Sequence, residues 1–474
     1  MNTLWPSPAE LDNISDHQRE QYALAMAGPV GILGGGPGRG KTWLVAQLVK
    51  RLIANYGASH IAICAPTGKA AQRANELLIE HNISSIKATT IHRLLQVRKL
   101  GYDGNGWGFE YGKEKALPYR FVIIDESSML DITLLSSLLA ASRPGMHVLF
   151  VGDFAQLAPV GHGAPLRDMI AAGLPFGELT EPRRNGGDIV RACDDVIKGL
   201  PYRPSPVVDI QGGHNLQHIE TERPAQAIAY LRRLIESTPP NIDPMWDVQV
   251  ICATNESGEV NRKSLNTMLQ GILNPTGEKI ATVPFRMGDK VICTSNSIFK
   301  SIECPYCNYG EEYIEWTGKS YHCRQCTELW GMADMPQDFC ANGEIGKVVY
   351  LHDKRMHVQF DSPARTLLVL SNDFQAFDLA YAITCHKFQG SQAPYIIIMC
   401  DAGRGADMVT SYEWHRTAWS RAQHLCVTIG RIHGIHRQCR KSALKGRKTF
   451  LREMLEGRTE LARAIASSSP RHGV

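Results

Sequence analysis

The stretch ILGGGPGRGKTWLVAQLVKRLIANY, residues 32–56, joins a short apolar run to a long helical pattern through a glycine-rich turn. Within it, GGPGRGKT at 35–42 has two glycines bracketing four residues before Lys-Thr, the spacing of a phosphate-binding loop. Glycines let backbone N–H groups converge on phosphates at a helix N-terminus, where the helix dipole also favours anions. The pattern predicts a strand, loop and helix unit that binds a nucleotide through Gly35, Gly36, Pro37, Gly38, Arg39, Gly40, Lys41 and Thr42.

A magnesium–nucleotide site also needs an acidic ligand and a group that orients the attacking water. The apolar run FVIIDES supplies both, because its predicted strand ends at Asp125 and Glu126 follows directly. We therefore expect ATP with Mg²⁺ as cofactors, with Lys41 on the β and γ phosphates. Thr42 and Asp125 are the predicted magnesium ligands, and Glu126 is the predicted general base.

Further short apolar runs alternate with helical segments along the chain. HIAICAPT, RFVIIDE, HVLFVGD, VQVICAT and APYIIIMC are rich in β-branched residues. Such alternation is typical of an α/β fold with parallel sheets flanked by helices. We predict one sheet domain at 1–195 and a second at 196–283, resumed at 376–474.

Each predicted domain is interrupted by an insertion. Residues 95–118 are rich in glycine and aromatic residues, which predicts a small hairpin. Residues 284–375 contain short β-like runs such as EIGKVVYLH and predict a small SH3-like β-barrel.

Two cysteine pairs lie inside the predicted barrel. CPYC at 304–307 and CRQC at 323–326 are separated by fifteen residues, a spacing typical of zinc sites. We predict a structural Zn²⁺ ribbon at about 300–330, held by Cys304, Cys307, Cys323 and Cys326. The surrounding aromatic side chains either stack on bases or a partner, or complete the small core of the ribbon; they are Tyr306, Tyr309, Tyr313, Trp316 and Tyr321.

Composition places the chain of 474 residues among ordinary globular proteins, with 43% hydrophobic and 21% charged residues. No apolar run reaches the roughly 18 residues that span a bilayer, and the first twenty residues do not read as a secretory signal. We therefore expect a cytoplasmic protein with reduced cysteines and no membrane partner.

The C-terminal part of the chain is basic. From Arg431 onward it contains eight arginines and three lysines but only three glutamates. This basic tail is either a solvated helix face or a surface for nucleic acid or a partner.

Taken in order, the motifs make the chain resemble the superfamily 1B helicases, the group typified by RecD and Dda, over nearly its whole length. The resemblance implies two RecA-like P-loop motor domains that close on ATP, move 5′ to 3′ along single-stranded DNA and separate duplexes at junctions. It also implies a place in DNA replication, recombination or repair. The similar motifs are ISDHQ, APTGKAA at 65–71, TTIHRL at 89–94, VGDFAQLAPVGHG, LTEPRRN, AYAITCHKFQGSQ at 380–392 and TAWSRAQH.

The same resemblance assigns roles to individual residues. Gln18 is expected to read adenine, Gly390 to contact the nucleotide, and Asp153 and Gln156 to lie near the γ-phosphate. Arg184 and Arg421 are the expected arginine fingers. The expected DNA contacts are Pro66, Thr67, His92, Asn255, Thr384 and His386, and the candidates for a duplex-separating pin in the hairpin are Trp107, Phe109 and Tyr111.

Three features depart from the family pattern. Arg183 stands beside Arg184, so either could be the first finger. Gln392 stands where the family usually has Glu, and the ribbon is an insertion.

Two other functions stay open. One is an RNA helicase or RNA-remodelling ATPase, and the other is a recruitment protein that meets replication or recombination proteins through the ribbon and the basic tail.

Overall fold

The computed structural model describes residues 3–100, 106–181, 187–280, 282–307, 309–310, 313–317, 320–352, 354–361, 364–401, 403–447, 449 and 451–458. The described strands form two parallel sheets, a seven-stranded antiparallel sheet, a three-stranded sheet and a two-stranded hairpin. This confirms the predicted α/β fold with two motor domains and inserted β elements. No helix in the described part of the chain is long and apolar enough to cross a membrane.

The first motor domain is built on a six-stranded parallel sheet. Its strands and the hairpin strands β4 and β5 are β1 Val30–Gly35, β2 Ile61–Ala65, β3 Thr89–Thr90, β4 Val97–Leu100, β5 Gly106–Phe109, β6 Phe121–Ile124, β7 His147–Gly152 and β8 Phe176–Leu179. The strand order is β3-β2-β6-β7-β1-β8. Because β1 pairs with both β7 and β8, the phosphate-binding loop leaves the sheet from an interior strand.

Helices cover both faces of this sheet. Along β6, Phe121 and Ile123 belong to one buried core, and Val122 and Ile124 belong to another. Alternate side chains of a strand point to opposite faces, so the continuous apolar run is explained by two covered faces. The helices of this part of the chain are α1 Asp16–Ala25, α2 Lys41–Tyr56, α3 Gly68–Glu80, α4 Ile91–Leu94, α5 Ile132–Ala140, α6 Pro165–Ala171 and α7 Gly187–Ile197.

The second motor domain has a five-stranded parallel sheet with the insertion between its strands. The remaining strands are β9 Leu216–Glu220, β10 Val248–Cys252, β11 Lys290–Cys293, β12 Ser297–Ser301, β13 Ile314–Trp316, β14 Tyr321–Cys323, β15 Leu329–Trp330, β16 Gln337–Cys340, β17 Ile345–His352, β18 Arg355–Asp361, β19 Ala364–Leu370, β20 Phe377–Leu379, β21 Ala382–Thr384, β22 Ala393–Met399 and β23 Ala422–Gly430. The parallel order is β21-β10-β22-β23-β9. The remaining helices are α8 Pro224–Glu236, α9 Arg262–Leu273, α10 Arg404–Val409, α11 Tyr412–Trp419, α12 Ile432–Cys439 and α13 Leu451–Leu455.

The inserted antiparallel sheet has the order β16-β12-β19-β18-β17-β11-β20 and curls into a half-barrel around an apolar core. The ribbon sheet β13-β14-β15 packs on it, because Leu368 of β19 shares a buried cluster with Tyr321 and Trp330. The rings of Tyr321 and Trp330 are stacked with centroids 6.2 Å apart. These two aromatic residues therefore complete the ribbon core.

Two segments tie the motor domains together. Helix α7, which the predicted boundary at residue 195 assigns to the first domain, packs Ile189, Cys193 and neighbouring side chains into the core of the second. Residues 441–447, 449 and 451–458, here called the C-terminal strap, return from the second domain to the first. Arg167 donates to the carbonyls of Leu444 (2.6 Å) and Arg447 (3.0 Å). The part of the basic tail that follows α12 thus packs against the first motor domain.

Candidate nucleotide and DNA sites

The phosphate-binding loop curves from the end of β1 into the first turn of α2. Lys41 Nζ donates to the carbonyls of Gly35 (2.6 Å) and Gly36 (3.0 Å), so the ammonium group lies within the curve of the loop. Gly40 caps α2 with φ +82°, a left-handed conformation that favours glycine. The Arg39 guanidinium pairs with Asp194 of α7 and with the carbonyl of Thr180. Its side chain therefore anchors the loop to its surroundings.

The acidic pair lies at the end of β6. Asp125 Oδ1 accepts a hydrogen bond from Glu126 N (2.9 Å), and Glu126 itself has φ +50° and ψ +37°. Burial raises the pKa of Asp125 to about 6, with a further contribution from the charge of Glu126. A half-buried carboxylate of this kind is stabilised by a cation. Asp125 and the hydroxyl of Thr42, in the first turn of α2, would together offer oxygen donors of the kind that Mg²⁺ prefers.

A buried ion pair joins the two motor domains beside the loop. Asp153, which follows β7, accepts from the guanidinium of Arg416 on α11, and both side chains are 2% exposed. The Nη2 atom of Arg416 also lies 3.0 Å from the point that a Cβ on Gly36 would occupy. Gln156 is buried next to Asp153, with its Nε2 3.5 Å from Asp153 Oδ2.

Sequence reasoning missed Arg416. The only available signal was its place directly before TAWSRAQH, with no spacing rule to connect it to Asp153. Arg421, the predicted second finger, donates to the carbonyls of Thr417 (3.2 Å) and Ser391 (3.3 Å) of its own domain. Arg183 and Arg184 lie outside the described residues.

Two further residues expected at the nucleotide have other close contacts. Gln18 forms a capping box with Ser15 at the start of α1, accepting from its backbone N–H at 3.2 Å. Gly390 has φ +75°, and its Cα faces Thr67 and Ala70 of the first motor domain. Gly390 thus lies where the second domain meets the start of α3.

A cleft of about 770 Å³ runs between the two motor domains and the half-barrel. Its wall also includes Lys69, Lys387 and Arg447, which supply positive charge. Burial lowers the pKa of His92 and of His386, which favours their neutral forms. The cleft brings together all six of the expected DNA contacts, Pro66, Thr67, His92, Asn255, Thr384 and His386.

The hairpin β4–β5 projects beside this cleft. The Phe109 ring lies 5.9 Å from the ring of His92, and Phe109 and Tyr111 pack against the first-domain core. Lys115 Nζ lies over the Tyr111 ring at 4.9 Å. Phe109 and Tyr111 thus form the packed base of the hairpin, while the side chain of Trp107 lies outside the described part of the chain.

The four ribbon cysteines converge on one point. Their sulfur atoms all lie within 4.8 Å of one another, with Sγ–Sγ distances of 3.5 Å for Cys304 and Cys326 and 3.6 Å for Cys307 and Cys323. Two thiolates that bind one tetrahedral zinc at about 2.3 Å are about 3.8 Å apart. The residues therefore fit a closed Zn²⁺ site. None of the thirteen cysteines of the chain forms a disulfide.

The fold and these sites define a P-loop protein with two motor domains and a cleft between them. Family models for the AAA domain and for the UvrD-like helicase C-terminal domain match residues 18–162 and 379–429, respectively. The chain is 35% identical over 464 residues to the RecBCD enzyme subunit RecD of Mycolicibacterium smegmatis, covering 93% of this chain and 75% of that protein. It belongs to the RecD-like superfamily 1 helicases.

Other relatives match this chain over only part of their own length. The ATP-dependent RecD2 DNA helicase of Deinococcus radiodurans is 32% identical over 368 residues, which is 76% of this chain but 41% of that protein. A solved structure of Pif1 helicase from Bacteroides with ADP-AlF3 and ssDNA aligns over 97% of this chain and 99% of its own, at 17% identity and a TM-score of 0.45.

Proposed function

We propose that the chain is an ATP-dependent DNA helicase that moves 5′ to 3′ on single-stranded DNA and unwinds duplexes. The observation that carries this proposal is the cleft, which is lined by the expected DNA-contacting residues of both motor domains. A strand in this cleft would touch both domains. Movement of the two motor domains during the nucleotide cycle would then strengthen and weaken the contacts of each domain with the strand alternately.

The chemistry proposed for the nucleotide site uses residues of the first motor domain. Lys41 would hold the terminal phosphates, Glu126 would accept the proton of the attacking water, and Asp125 with Thr42 would hold Mg²⁺. The metal, when bound, would neutralise charge that develops on the phosphates. Membership of the RecD-like family supports the same assignment.

The proposal is tested by ATPase assays with and without single-stranded DNA, using the wild type and a cleft variant. Thr384→Val keeps the shape of a buried side chain in the cleft but removes its hydroxyl. We expect the variant to retain its DNA-free ATPase rate and to need several-fold more DNA for half-maximal stimulation. Stronger stimulation of the wild type by RNA than by DNA would instead favour an RNA-remodelling ATPase.

The ribbon is proposed as a second contact surface, for DNA or for replication or recombination proteins. Tyr306, Tyr309 and Leu329 are 59%, 40% and 57% exposed, in contrast to the buried Tyr321 and Trp330. Exposed tyrosine side chains can stack on bases, and exposed apolar side chains such as Leu329 can enter a protein interface. Replacing Tyr306 and Tyr309 together by Ser leaves the cysteines intact and should weaken binding of forked DNA or of the partner.

A further inference from the structure

The C-terminal strap begins with an attachment to the second motor domain. Glu413, a fully buried residue of α11, accepts from the hydroxyl of Ser442 (2.5 Å) and from the backbone N–H of Ala443 (2.9 Å). Lys441 Nζ donates to the carbonyl of Asp407 on α10 (2.8 Å). A carboxylate is costly to bury unless donors surround it, so the contacts of Glu413 fix the place at which the strap leaves this domain.

The strap then crosses to the first motor domain, where three contacts hold it. The hydroxyl of Thr449 donates to the carboxylate of Asp168 on α6. The neighbouring Arg167 donates to the carbonyl of Arg447 (3.0 Å), and Leu451 packs against the first-domain core. Because the strap is anchored on both motor domains, the position of Arg447 between these anchors is fixed.

The side chain of Arg447 extends from the strap into the wall of the cleft. Its Nη1 donates to the carbonyls of Gly161 (2.7 Å) and Gly163 (3.1 Å), which lie in the segment between β7 and α6. Arg447 lines the cleft together with Gly161 and with His386 of the second domain. Burial and the charge of Arg447 both lower the pKa of His386, so the guanidinium acts on an expected DNA contact.

Arg447 differs from the two lysines that line the same cleft. Lys387 Nζ lies 3.7 Å from a carboxylate oxygen of Asp378. For Lys69, burial lowers the pKa, and the charges of Glu76 and two further carboxylates oppose this effect. Both lysines therefore have acidic neighbours that balance part of their charge, whereas Arg447 forms no ion pair within the part of the chain that the structure describes.

The environment of Arg447 leaves its charge and several donors available to an anion. Burial and the charge of Arg167 both lower the pKa of Arg447, and no described acidic group opposes them. Asp131 lines the same cleft, but it accepts from Leu134 N (2.8 Å) at the start of α5. An arginine has five N–H donors in a rigid fork. The two carbonyls occupy Nη1, and the donors on Nε and Nη2 have no acceptor among the described residues.

We propose that Arg447 of the C-terminal strap binds a backbone phosphate of the strand in the cleft, held in place by the anchors of the strap on both motor domains. This inference rests on the proposed binding of single-stranded DNA in the cleft. A phosphate matches the paired donors of a guanidinium and would balance its charge. Such a contact positions the strand without reading its sequence. Among the described basic residues after Arg431, Arg447 is the one that lines the cleft.

The salt dependence of DNA binding tests the proposal. The affinity of the full chain for an oligothymidylate is measured over a range of KCl concentrations for the wild type, Arg447→Gln and Arg447→Lys. Each phosphate contact to a single strand contributes about 0.7 to the steepness of log affinity against log salt. We expect Arg447→Gln to bind several-fold more weakly at low salt and to lose about 0.7 of this steepness. Arg447→Lys keeps the positive charge and should keep the wild-type steepness.

Arg452→Gln is the matched control, because it removes one positive charge from the same strap. Arg452 pairs with Glu456 and is not among the residues that line the cleft. This variant should keep the wild-type steepness. An equal loss of steepness in Arg452→Gln would overturn the proposal, since the strap would then act only through its overall charge.

Limited proteolysis after residue 440 separates phosphate binding from a purely structural role. If Arg447 served only to hold the carbonyls of Gly161 and Gly163, Arg447→Gln would be cleaved faster while the salt dependence stayed that of the wild type. That result would overturn the proposal. A wild type that does not bind the oligothymidylate would instead contradict the proposed DNA-binding function itself, which is a distinguishable outcome.

Discussion

Glu126 combines a proposed catalytic role with a backbone conformation that is costly for any residue other than glycine. Its φ of +50° and ψ of +37° lie in the left-handed region, directly after the half-buried Asp125. Such a conformation costs a non-glycine residue roughly 1–3 kcal/mol. We therefore predict that Glu126→Gly makes the protein more stable than Glu126→Ala, although both remove the carboxylate.

The magnitude follows from two opposing effects. Glycine relieves the backbone cost, but it loses roughly 0.5–1 kcal/mol more conformational free energy on folding than alanine. The net difference is about 1 kcal/mol in favour of Glu126→Gly. For a domain of the size of the first motor domain, this difference corresponds to a Tm about 2–4 °C higher for Glu126→Gly than for Glu126→Ala. Turnover should fall in both variants, and in Glu126→Gln, by about 10² or more because the general base is lost.

The assay pairs thermal unfolding with steady-state ATP hydrolysis for all three variants. Glu126→Gln is the control for turnover, because it keeps the size of the side chain and should still bind ATP. A Glu126→Ala variant at least as stable as Glu126→Gly would refute the argument from backbone strain. Near-normal hydrolysis by Glu126→Gln would refute the role as general base.

Three other predictions concern separate parts of the molecule. Lys41→Ala should abolish hydrolysis while single-stranded DNA affinity stays within about twofold, because Lys41 contacts the loop and not the cleft; a normal turnover rate would contradict this. Cys304→Ser with Cys307→Ser should release one zinc per chain and unfold the ribbon while DNA-free ATPase stays near normal; elemental analysis that finds no zinc in the metal-replete wild type would refute the site. Arg167→Ala removes the donor to two carbonyls of the C-terminal strap, so limited proteolysis after residue 440 should be faster, whereas the DNA-free ATPase rate should not change. An unchanged cleavage rate would show that this contact does not hold the strap in place.

Local sequence patterns predicted the parts of the molecule in which the chemistry depends on short spacings. The loop at 35–42 and the acidic pair after β6 lie where the motifs indicated, because a strand and the turn that follows it are neighbours in sequence. The two cysteine pairs also converge as their spacing indicated. The alternation of apolar runs with helical segments predicted the two parallel sheets.

Those local patterns did not predict contacts between residues that are far apart in the sequence. Arg416 and Asp153 are separated by 263 positions, and neither residue type reveals such a partner. The packing of α7 on the second domain depends on which core its apolar face meets, which periodicity does not specify. In the ribbon, Tyr321 and Trp330 are buried in a cluster that includes Leu368 of the half-barrel, whereas Tyr306 and Tyr309 are exposed. The sequence pattern does not specify which aromatic residues meet the half-barrel.

The central claim is tested most directly by strand displacement on DNA duplexes that carry a single-stranded 5′ tail or 3′ tail. With ATP and Mg²⁺, the wild type should displace the strand from the 5′-tailed duplex and leave the 3′-tailed duplex largely intact. Lys41→Ala should displace neither. Displacement without ATP, or no displacement of either duplex by an enzyme that hydrolyses ATP, would contradict the account of this chain as an ATP-dependent DNA helicase.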